Sequence, residues 1–160
     1  MFWGGVFEYT SHDICVKHRY DLNFASGEII WYEVIIPNLI ILICTVYRPP
    51  GSVAACWENF EYSIEQAMNY ISNIIINGDL NVDLLRENNN KLLEIISEFN
   101  LTSVIKELTR NGAPIIVSNL DIVMDSEVIS VNRDISVHDA TLINIKCLVY
   151  WRDLKWEKFG

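Results

Sequence analysis

Basic residues are scarce in this chain. Lys and Arg together number 12, against 21 Asp and Glu, and the formal net charge over 160 residues is −9 at pH 7. Affinity for phosphate backbones comes largely from Lys and Arg, so this balance argues against indiscriminate nucleic-acid binding through a basic surface. Repeats, low-complexity segments and linkers are also missing. Hydrophobic residues make up 51% of the chain, which excludes a disordered protein and indicates one domain or a large part of one.

Other missing features concern the compartment and the membrane. The four cysteines show no Cys-x-x-Cys spacing, which argues against zinc and makes a reduced intracellular compartment, nuclear or cytoplasmic, the simpler interpretation. A signal peptide begins with a basic segment followed by an apolar run, and the N-terminus of this sequence shows neither. The most apolar stretch, Ile35 to Val46, is interrupted by Pro37 and Asn38 and is too short to span a bilayer, so we expect no membrane association.

The apolar pattern predicts strands that alternate with helices. Two segments have the three- and four-residue spacing of amphipathic helices, residues 57–72 and 90–99. Short β-branched or apolar runs predict strands at residues 5–9, 13–18, 28–36, 39–47, 73–77, 120–124, 127–131 and 141–149. Pro37 and Asn38 predict a turn that joins two of them into a central antiparallel hairpin. Helices between strands indicate a two-layered α/β arrangement.

The sequence Ile74 to Asn81 places polar groups directly after a buried strand. Asp79 and Asn81 are two residues apart, so in extended backbone their side chains point to the same side. A carboxylate beside an amide can orient a water and hold a phosphate or a metal-bound oxygen. The alternative is a Gly-Asp-x-Asn turn without function, because all of these residue types favour turns.

Four further segments carry polar residues at the ends of apolar runs. Tyr47 and Arg48 end one strand, where they can contact a phosphate or, alternatively, cap the core before the Pro-Pro pair. Asp121 lies in an apolar segment, either orienting a histidine or facing solvent. His138 has a side chain suited to a scissile phosphate, although a lone histidine is more often a surface or loop residue. Arg110 lies in a loop, as a substrate contact or a solvated charge.

The order of these segments resembles the endonuclease/exonuclease/phosphatase family. The resemblance is strongest to the endonuclease domains of non-LTR retrotransposons, in which Tyr-Arg-Pro-Pro and Gly-Asp-Phe-Asn are frequent. It covers residues 4 to 147 and is carried by Gly4-Gly5-Val6, Val46-Tyr47-Arg48-Pro49-Pro50, Ile76-Asn77-Gly78-Asp79-Leu80-Asn81, Leu108-Thr109-Arg110, Ser118-Asn119-Leu120-Asp121 and Ser136-Val137-His138-Asp139. It implies a four-layered α/β sandwich, in which two packed mixed sheets are flanked by helices.

The resemblance also implies chemistry. Members of the family hydrolyse phosphodiester or phosphomonoester bonds with Mg²⁺ or Mn²⁺, and the retroelement-like motifs imply DNA as the substrate. Asp79 matches the aspartate that orients or activates the attacking water, Asn81 the asparagine that contacts the phosphate, and Tyr47 the tyrosine at the scissile phosphate. Arg48 and Arg110 are placed near substrate. A hard cation and polar donors would stabilise the charge that develops on the phosphoryl oxygens.

The C-terminal motifs match with one departure. Asp121 matches the aspartate that partners the catalytic histidine, His138 matches that histidine, and Thr109 falls at a substrate-contacting threonine. The family pattern Ser-Asp-His is here Ser-Val137-His, and valine can neither bind a metal nor accept a hydrogen bond. Asp139 lies on the other side of the histidine, where an extended backbone turns its side chain to the opposite face.

The N-terminal motifs with an Asn and a metal-binding Glu are not found, and neither Glu8 nor Glu28 lies in a matching sequence context. We therefore expect a partial domain over residues 1–149, followed by a tail over 150–160. Three hypotheses remain open: an impaired metal-dependent endonuclease, a catalytically inactive binding module of the same fold, and an unrelated acidic α/β interaction domain whose motifs are only turns.

Overall fold

The computed structural model describes residues 9–23, 28–82, 91–104, 115–118, 120–132, 134 and 140–145. Within these ranges, the elements follow in the order β1 (Cys15–His18), β2 (Glu28–Ile36), β3 (Leu39–Tyr47), α1 (Ala55–Tyr70), β4 (Ile74–Asp79), α2 (Lys91–Glu98), β5 (Thr102–Ser103), β6 (Ile115–Val117), β7 (Val123–Ile129) and β8 (Ala140–Ile145). The predicted tail, and the strand predicted at 5–9 except Tyr9, lie outside them.

The central hairpin forms as the sequence predicts. Strands β2 and β3 pair antiparallel along their whole length, from Glu28 opposite Tyr47 to Ile36 opposite Leu39. The turn between them contains Asn38 at φ 64°, a left-handed conformation that asparagine tolerates better than most residues. The β-branched residues on both strands suit a pleated, buried surface, which is why the boundaries could be read from the sequence.

Strand β4 lies parallel to β3, and the chain between them contains helix α1. The six-stranded sheet has the order β1-β2-β3-β4-β6-β5. Because β3 and β4 run in the same direction, their C-terminal ends meet at one edge of the sheet, with Tyr47 beside Asp79. Strands β5 and β6 were not predicted from the sequence, because two and three residues are too few to show a strand period.

One hydrophobic core lies between the sheet and the two helices. The spacing that predicted helix 57–72 is confirmed, although α1 begins two residues earlier, and its buried side chains include Phe60 and Ile64. Helix α2 adds Leu92 and Ile95. The sheet contributes alternate residues of its central strands: Ile29, Trp31, Leu42, Cys44, Val46, Ile74 and Ile76. This core fixes the side of the sheet on which the helices lie.

The opposite face of the same sheet covers a second core. Ile41, Ile75 and Val117 are buried there, together with Ile122, which precedes β7. Partly buried residues of β7 and β8 pack against this cluster, and the two strands form a separate antiparallel sheet. The predicted α/β architecture of packed sheets with helices is therefore confirmed, and the described residues account for three of its layers.

The sequence prediction was wrong in detail between residues 120 and 131. It placed two strands there, whereas the structure has a 3-10 turn, Leu120–Ile122, followed by the single strand β7. The polar pair Asp125 and Ser126 indicated a break between strands. The strand instead continues through the pair, which lies opposite Asn144 and Ile143 of β8, and the register irregularity comes just before it, between Val123 and Asp125. The Ser126 N–H donates to Asp125 Oδ1 at 2.8 Å.

A buried hydroxyl group on helix α1 makes two hydrogen bonds to neighbouring parts of the chain. Ser63 on α1 accepts a hydrogen bond from Trp31 Nε1 at 2.6 Å and donates one to the Leu22 carbonyl at 2.9 Å. This hydroxyl therefore ties helix α1 to strand β2 and to the turn before it.

Neither described helix combines the length and the hydropathy that crossing a bilayer requires.

Arg19 is a buried basic residue that is already engaged. Its guanidinium donates to Asp21 at 2.8 and 2.6 Å and to Glu33 at 3.2 Å, and it lies 3.9 Å from the centre of the Tyr70 ring. The hydrogen bonds with Asp21 raise the pKa of Arg19 and lower the pKa of Asp21 below its usual 3.8. One of the few basic side chains is thus neutralised within the fold and is no candidate for phosphate binding.

Candidate active site

Three polar side chains form a row at one edge of the six-stranded sheet. Glu28 begins β2 and is paired with Tyr47 at the end of β3, and Tyr47 is in turn paired with Asp79 at the end of β4. Paired residues on neighbouring strands point to the same face. Val46 lies in the core on the helix side, so strand alternation places Tyr47 and the row on the other face, where the second sheet packs.

Gly78 permits the close approach of β3 and β4 at this edge. It has φ 133°, a conformation that other residues rarely adopt. A Cβ atom built on it would lie 1.8 Å from the carbonyl oxygen of Val46. The glycine of the Gly-Asp-Leu-Asn motif is therefore required by the backbone itself, immediately before the carboxylate that the motif presents.

The segment Asp79–Asn81 is a tight turn held from both sides. Asp79 Oδ1 accepts the Asn81 N–H at 2.9 Å, and Asn81 adopts φ 49°. Between them, the Leu80 side chain is 1% exposed and packs in the helix-side core. The turn that the sequence offered as an alternative to a functional site is thus real. A turn does not exclude a functional site, so the role predicted for Asp79 and Asn81 stays a prediction.

Arg48 contacts every residue of that turn. Its N–H donates to the Asp79 carbonyl at 2.8 Å, its Nη1 donates to the Leu80 carbonyl at 3.2 Å, and its own carbonyl accepts from Asn81 Nδ2 at 2.9 Å. Its guanidinium lies 4.7 Å from the centre of the Trp57 ring on α1. Arg48 Nε is buried without a hydrogen-bond partner.

Of the other predicted site residues, only Asp121 lies within the part of the chain that the structure describes. Asp121 is described, and it is exposed in the 3-10 turn before β7, on the second sheet's side of the molecule. His138, Thr109 and Arg110 lie outside the described residues, as does Val137. The structure therefore brings together Tyr47, Arg48, Asp79 and Asn81, and the roles predicted for the remaining residues stay predictions.

Glu28 is a further candidate site residue, one that sequence reasoning did not identify. Its Oε2 is buried and has no hydrogen-bond partner, and a buried oxygen in that state needs an explanation. It belongs to no recognisable motif. The only signal in the sequence is its position at the start of a strand whose partner ends in Tyr47, and that depends on the pairing register.

The row at the sheet edge contains two carboxylates that could bind a hard divalent cation. Glu28 and Asp79 are carboxylates on the same row, two strand spacings apart, or about 10 Å between their Cα atoms. Among the residues that the structure describes, no three His, Cys, Asp or Glu side chains are grouped closely enough to form a metal cage. Mg²⁺ commonly binds through one or two carboxylates together with waters and substrate phosphates, so Glu28 and Asp79 are compatible with binding this ion.

Comparison with solved structures identifies the fold. The endonuclease domain of TRAS1, a telomere-specific non-LTR retrotransposon, superposes with a TM-score of 0.70 at 16% identity, over 87% of this chain and 72% of that one. An endonuclease/exonuclease/phosphatase family protein from Leptotrichia buccalis gives 0.56 at 15% identity, over 87% and 63%. A Beutenbergia cavernae endonuclease/exonuclease/phosphatase gives 0.50 at 14% identity, over 83% and 44%.

These likenesses confirm the fold that the motifs implied. This chain has the fold of endonuclease/exonuclease/phosphatase proteins, and it spans less than two thirds of the two bacterial structures. No family model matches the sequence, and no curated protein matches it. The fold was therefore identifiable from the order of short motifs and from the structure, at a level of identity where overall sequence similarity is weak.

Proposed function

We propose that this chain is a retroelement-type endonuclease domain with a metal-dependent site for cleaving DNA phosphodiesters, impaired in the form given by this sequence. The observation that supports it is the placement of Tyr47, Asp79 and Asn81 at adjoining strand ends within this fold. The same three residues carry the resemblance in the sequence. An unrelated interaction domain would have no reason to combine that motif order with that fold.

The chain's own residues have complementary tasks in this proposal. The Asp79 carboxylate, held by the Asn81 N–H at 2.9 Å, orients and activates the attacking water. The Tyr47 phenol donates to an oxygen of the scissile phosphate. Asn81 uses one amide hydrogen on the Arg48 carbonyl, and its second amide hydrogen serves the phosphate. Thr109, Arg110, Asp121 and His138 keep the substrate and histidine roles that the resemblance implies.

Glu28 and Asp79 are the carboxylates that would hold Mg²⁺ or Mn²⁺. The cation supplies positive charge that stabilises the developing negative charge on the phosphoryl oxygens. Valine at position 137 removes a carboxylate beside His138, and this is the reason for proposing impaired cleavage. In an acidic chain, DNA contacts would depend on a few local basic residues and not on a general field.

Nicking of supercoiled plasmid tests the proposal directly. We expect slow nicking with Mg²⁺ or Mn²⁺, its loss in Asp79→Asn, and a gain of at least about tenfold in Val137→Asp, because a charged group is restored beside the histidine. Glu65→Gln, at an exposed position on α1, serves as the control that changes charge away from the site. Nicking that survives Asp79→Asn would show that it does not come from this site.

Cation binding gives a second, activity-independent test. We expect Mn²⁺, followed by the electron paramagnetic resonance signal of the free ion, to bind the chain. Its affinity should fall at least about tenfold in both Glu28→Gln and Asp79→Asn, because each removes a charged oxygen ligand. Glu65→Gln should leave the affinity unchanged. Equal affinity in Glu28→Gln and the unsubstituted chain would remove Glu28 from the proposed site.

A catalytically inactive binding module of the same fold is the second candidate function. The observation that favours it is Val137 itself, since valine offers no ligand or hydrogen bond where the family pattern has aspartate. DNA binding measured by fluorescence anisotropy, without nicking in either the original chain or Val137→Asp, would favour this function over the first.

A further inference from the structure

Arg48 is placed where it can shape the site without touching substrate. The segment from Gly78 to Asn81 contains two left-handed conformations, φ 133° at Gly78 and φ 49° at Asn81. Glycine and asparagine adopt such conformations more readily than other residues, and the surrounding contacts select them here. Arg48 supplies three of the contacts that hold this segment, since its N–H, Nη1 and carbonyl bond in turn to Asp79, Leu80 and Asn81. The Asn81 N–H bonded to Asp79 Oδ1 and the buried Leu80 side chain supply the others.

The guanidinium lies on the helix side of the sheet. It stacks 4.7 Å from the centre of the Trp57 ring, and Trp57 packs against the helix-side core. Tyr47, the neighbour of Arg48, is directed to the other face by strand alternation. The buried Arg48 Nε is likewise not presented to solvent. A phosphate held by Tyr47 and Asp79 would therefore lie on the far side of the sheet edge from this charge.

We infer that Arg48 is a positioning residue of the proposed site, and that the Trp57 indole is the platform that holds its guanidinium against the Leu80 carbonyl. The sequence predicted a different role for Arg48, that of a substrate contact. The inference rests on the proposed function in one respect: the turn that Arg48 holds is taken to present Asp79 and Asn81 to a phosphate. The clamp itself is a property of the folded chain and can be measured without DNA or metal.

Hydrogen exchange of the Asn81 amide, followed by NMR, measures the clamp. That amide is bonded to Asp79 Oδ1 within the turn. We expect exchange to accelerate about tenfold, the equivalent of one net hydrogen bond, in both Arg48→Met and Trp57→Leu. The double variant should show little further change, because Trp57 acts through Arg48. Arg48→Lys should rescue only partly, since a lysine cannot combine planar stacking with donation to the same carbonyl.

Phe99→Leu is the matched control for loss of an aromatic side chain. Phe99 packs against the same helix-side core just after the end of α2, away from the turn. Its replacement should destabilise the fold without selectively accelerating Asn81 exchange. If Arg48→Met and Trp57→Leu change Asn81 exchange no more than Phe99→Leu does, the clamp is overturned.

The salt dependence of DNA binding separates positioning from phosphate contact. The logarithm of DNA affinity falls linearly with the logarithm of salt concentration, and losing one phosphate contact reduces the magnitude of that slope by about 0.9. We expect Arg48→Met to leave that slope unchanged, because Arg48 does not reach the backbone phosphates. A slope lowered by about one unit would overturn the inference in favour of substrate contact. If the unsubstituted chain binds no DNA, the proposed function fails, and the amide exchange still decides the clamp.

Discussion

Replacing Gly78 by alanine is expected to lower the free energy of unfolding by about 3 kcal/mol. Two costs add in this variant. The alanine must adopt φ 133°, and its Cβ would meet the Val46 carbonyl oxygen at 1.8 Å, so β3 and β4 must separate at the edge that carries Tyr47 and Asp79. Urea unfolding followed by circular dichroism measures the loss of stability. Asn81 amide exchange, which should accelerate strongly, measures the separation of the strands at this edge.

Gly51 provides the control for this substitution. It also has a positive φ, 74°, but nothing lies within 4 Å of a Cβ built there. Gly51→Ala therefore carries the conformational cost alone, about 1 kcal/mol, and should not alter the Asn81 amide. Equal destabilisation by the two substitutions would mean that the close approach of Gly78 to Val46 contributes nothing, contrary to the pairing register of β3 and β4.

Shortening Leu80 to alanine is the second large effect. Leu80 is 1% exposed and packs in the helix-side core between the two polar residues of the turn. We expect a loss of about 3 to 4 kcal/mol in the free energy of unfolding, from the lost burial and the cavity left behind. Because the buried Leu80 side chain anchors the turn to the helix-side core, the affinity for Mn²⁺ should also fall and the exchange rate of the Asn81 amide should rise.

Leu92→Ala separates the two consequences of the Leu80 substitution. Leu92 is fully buried in the same core but lies on α2, away from the turn. Its replacement should cost a comparable free energy of unfolding in the same urea titration. Mn²⁺ affinity and Asn81 exchange in the folded state should remain as in the unsubstituted chain. If both variants perturb the turn equally, Leu80 acts through general stability and not as a local anchor.

The long elements of the fold could be read from the sequence because their patterns are local. Strands β2 and β3 have the predicted boundaries, 28–36 and 39–47, since each is a run of β-branched residues bounded by turn residues. Helix α1 follows from its spacing of apolar side chains. Strand β6 is too short to show a pattern, and β7 carries Asp125 and Ser126 in mid-strand, where they indicated a break.

Part of the site could be predicted in the same way and part could not. Tyr47, Asp79 and Asn81 belong to sequence motifs, so the sequence alone identifies them as candidates. Glu28 depends on its pairing with Tyr47 across a hairpin, and the helix-side position of Arg48 depends on Trp57, nine residues further along the chain. Neither relation appears in a local pattern, because register and packing join residues that are separate in sequence.

By itself, the sequence determined the residue types of the site and the strand ends that carry them. Apolar runs must be buried, and the glycine, aspartate and asparagine that follow them must leave the strand in a turn. Only the tertiary structure decided which of these ends meet and which face each side chain takes. The parallel pairing of β3 with β4 joins Tyr47 to Asp79, and the packing of Arg48 on Trp57 directs its charge away from them. Strand pairing and side-chain packing are long-range interactions, and a one-dimensional pattern specifies them only in part.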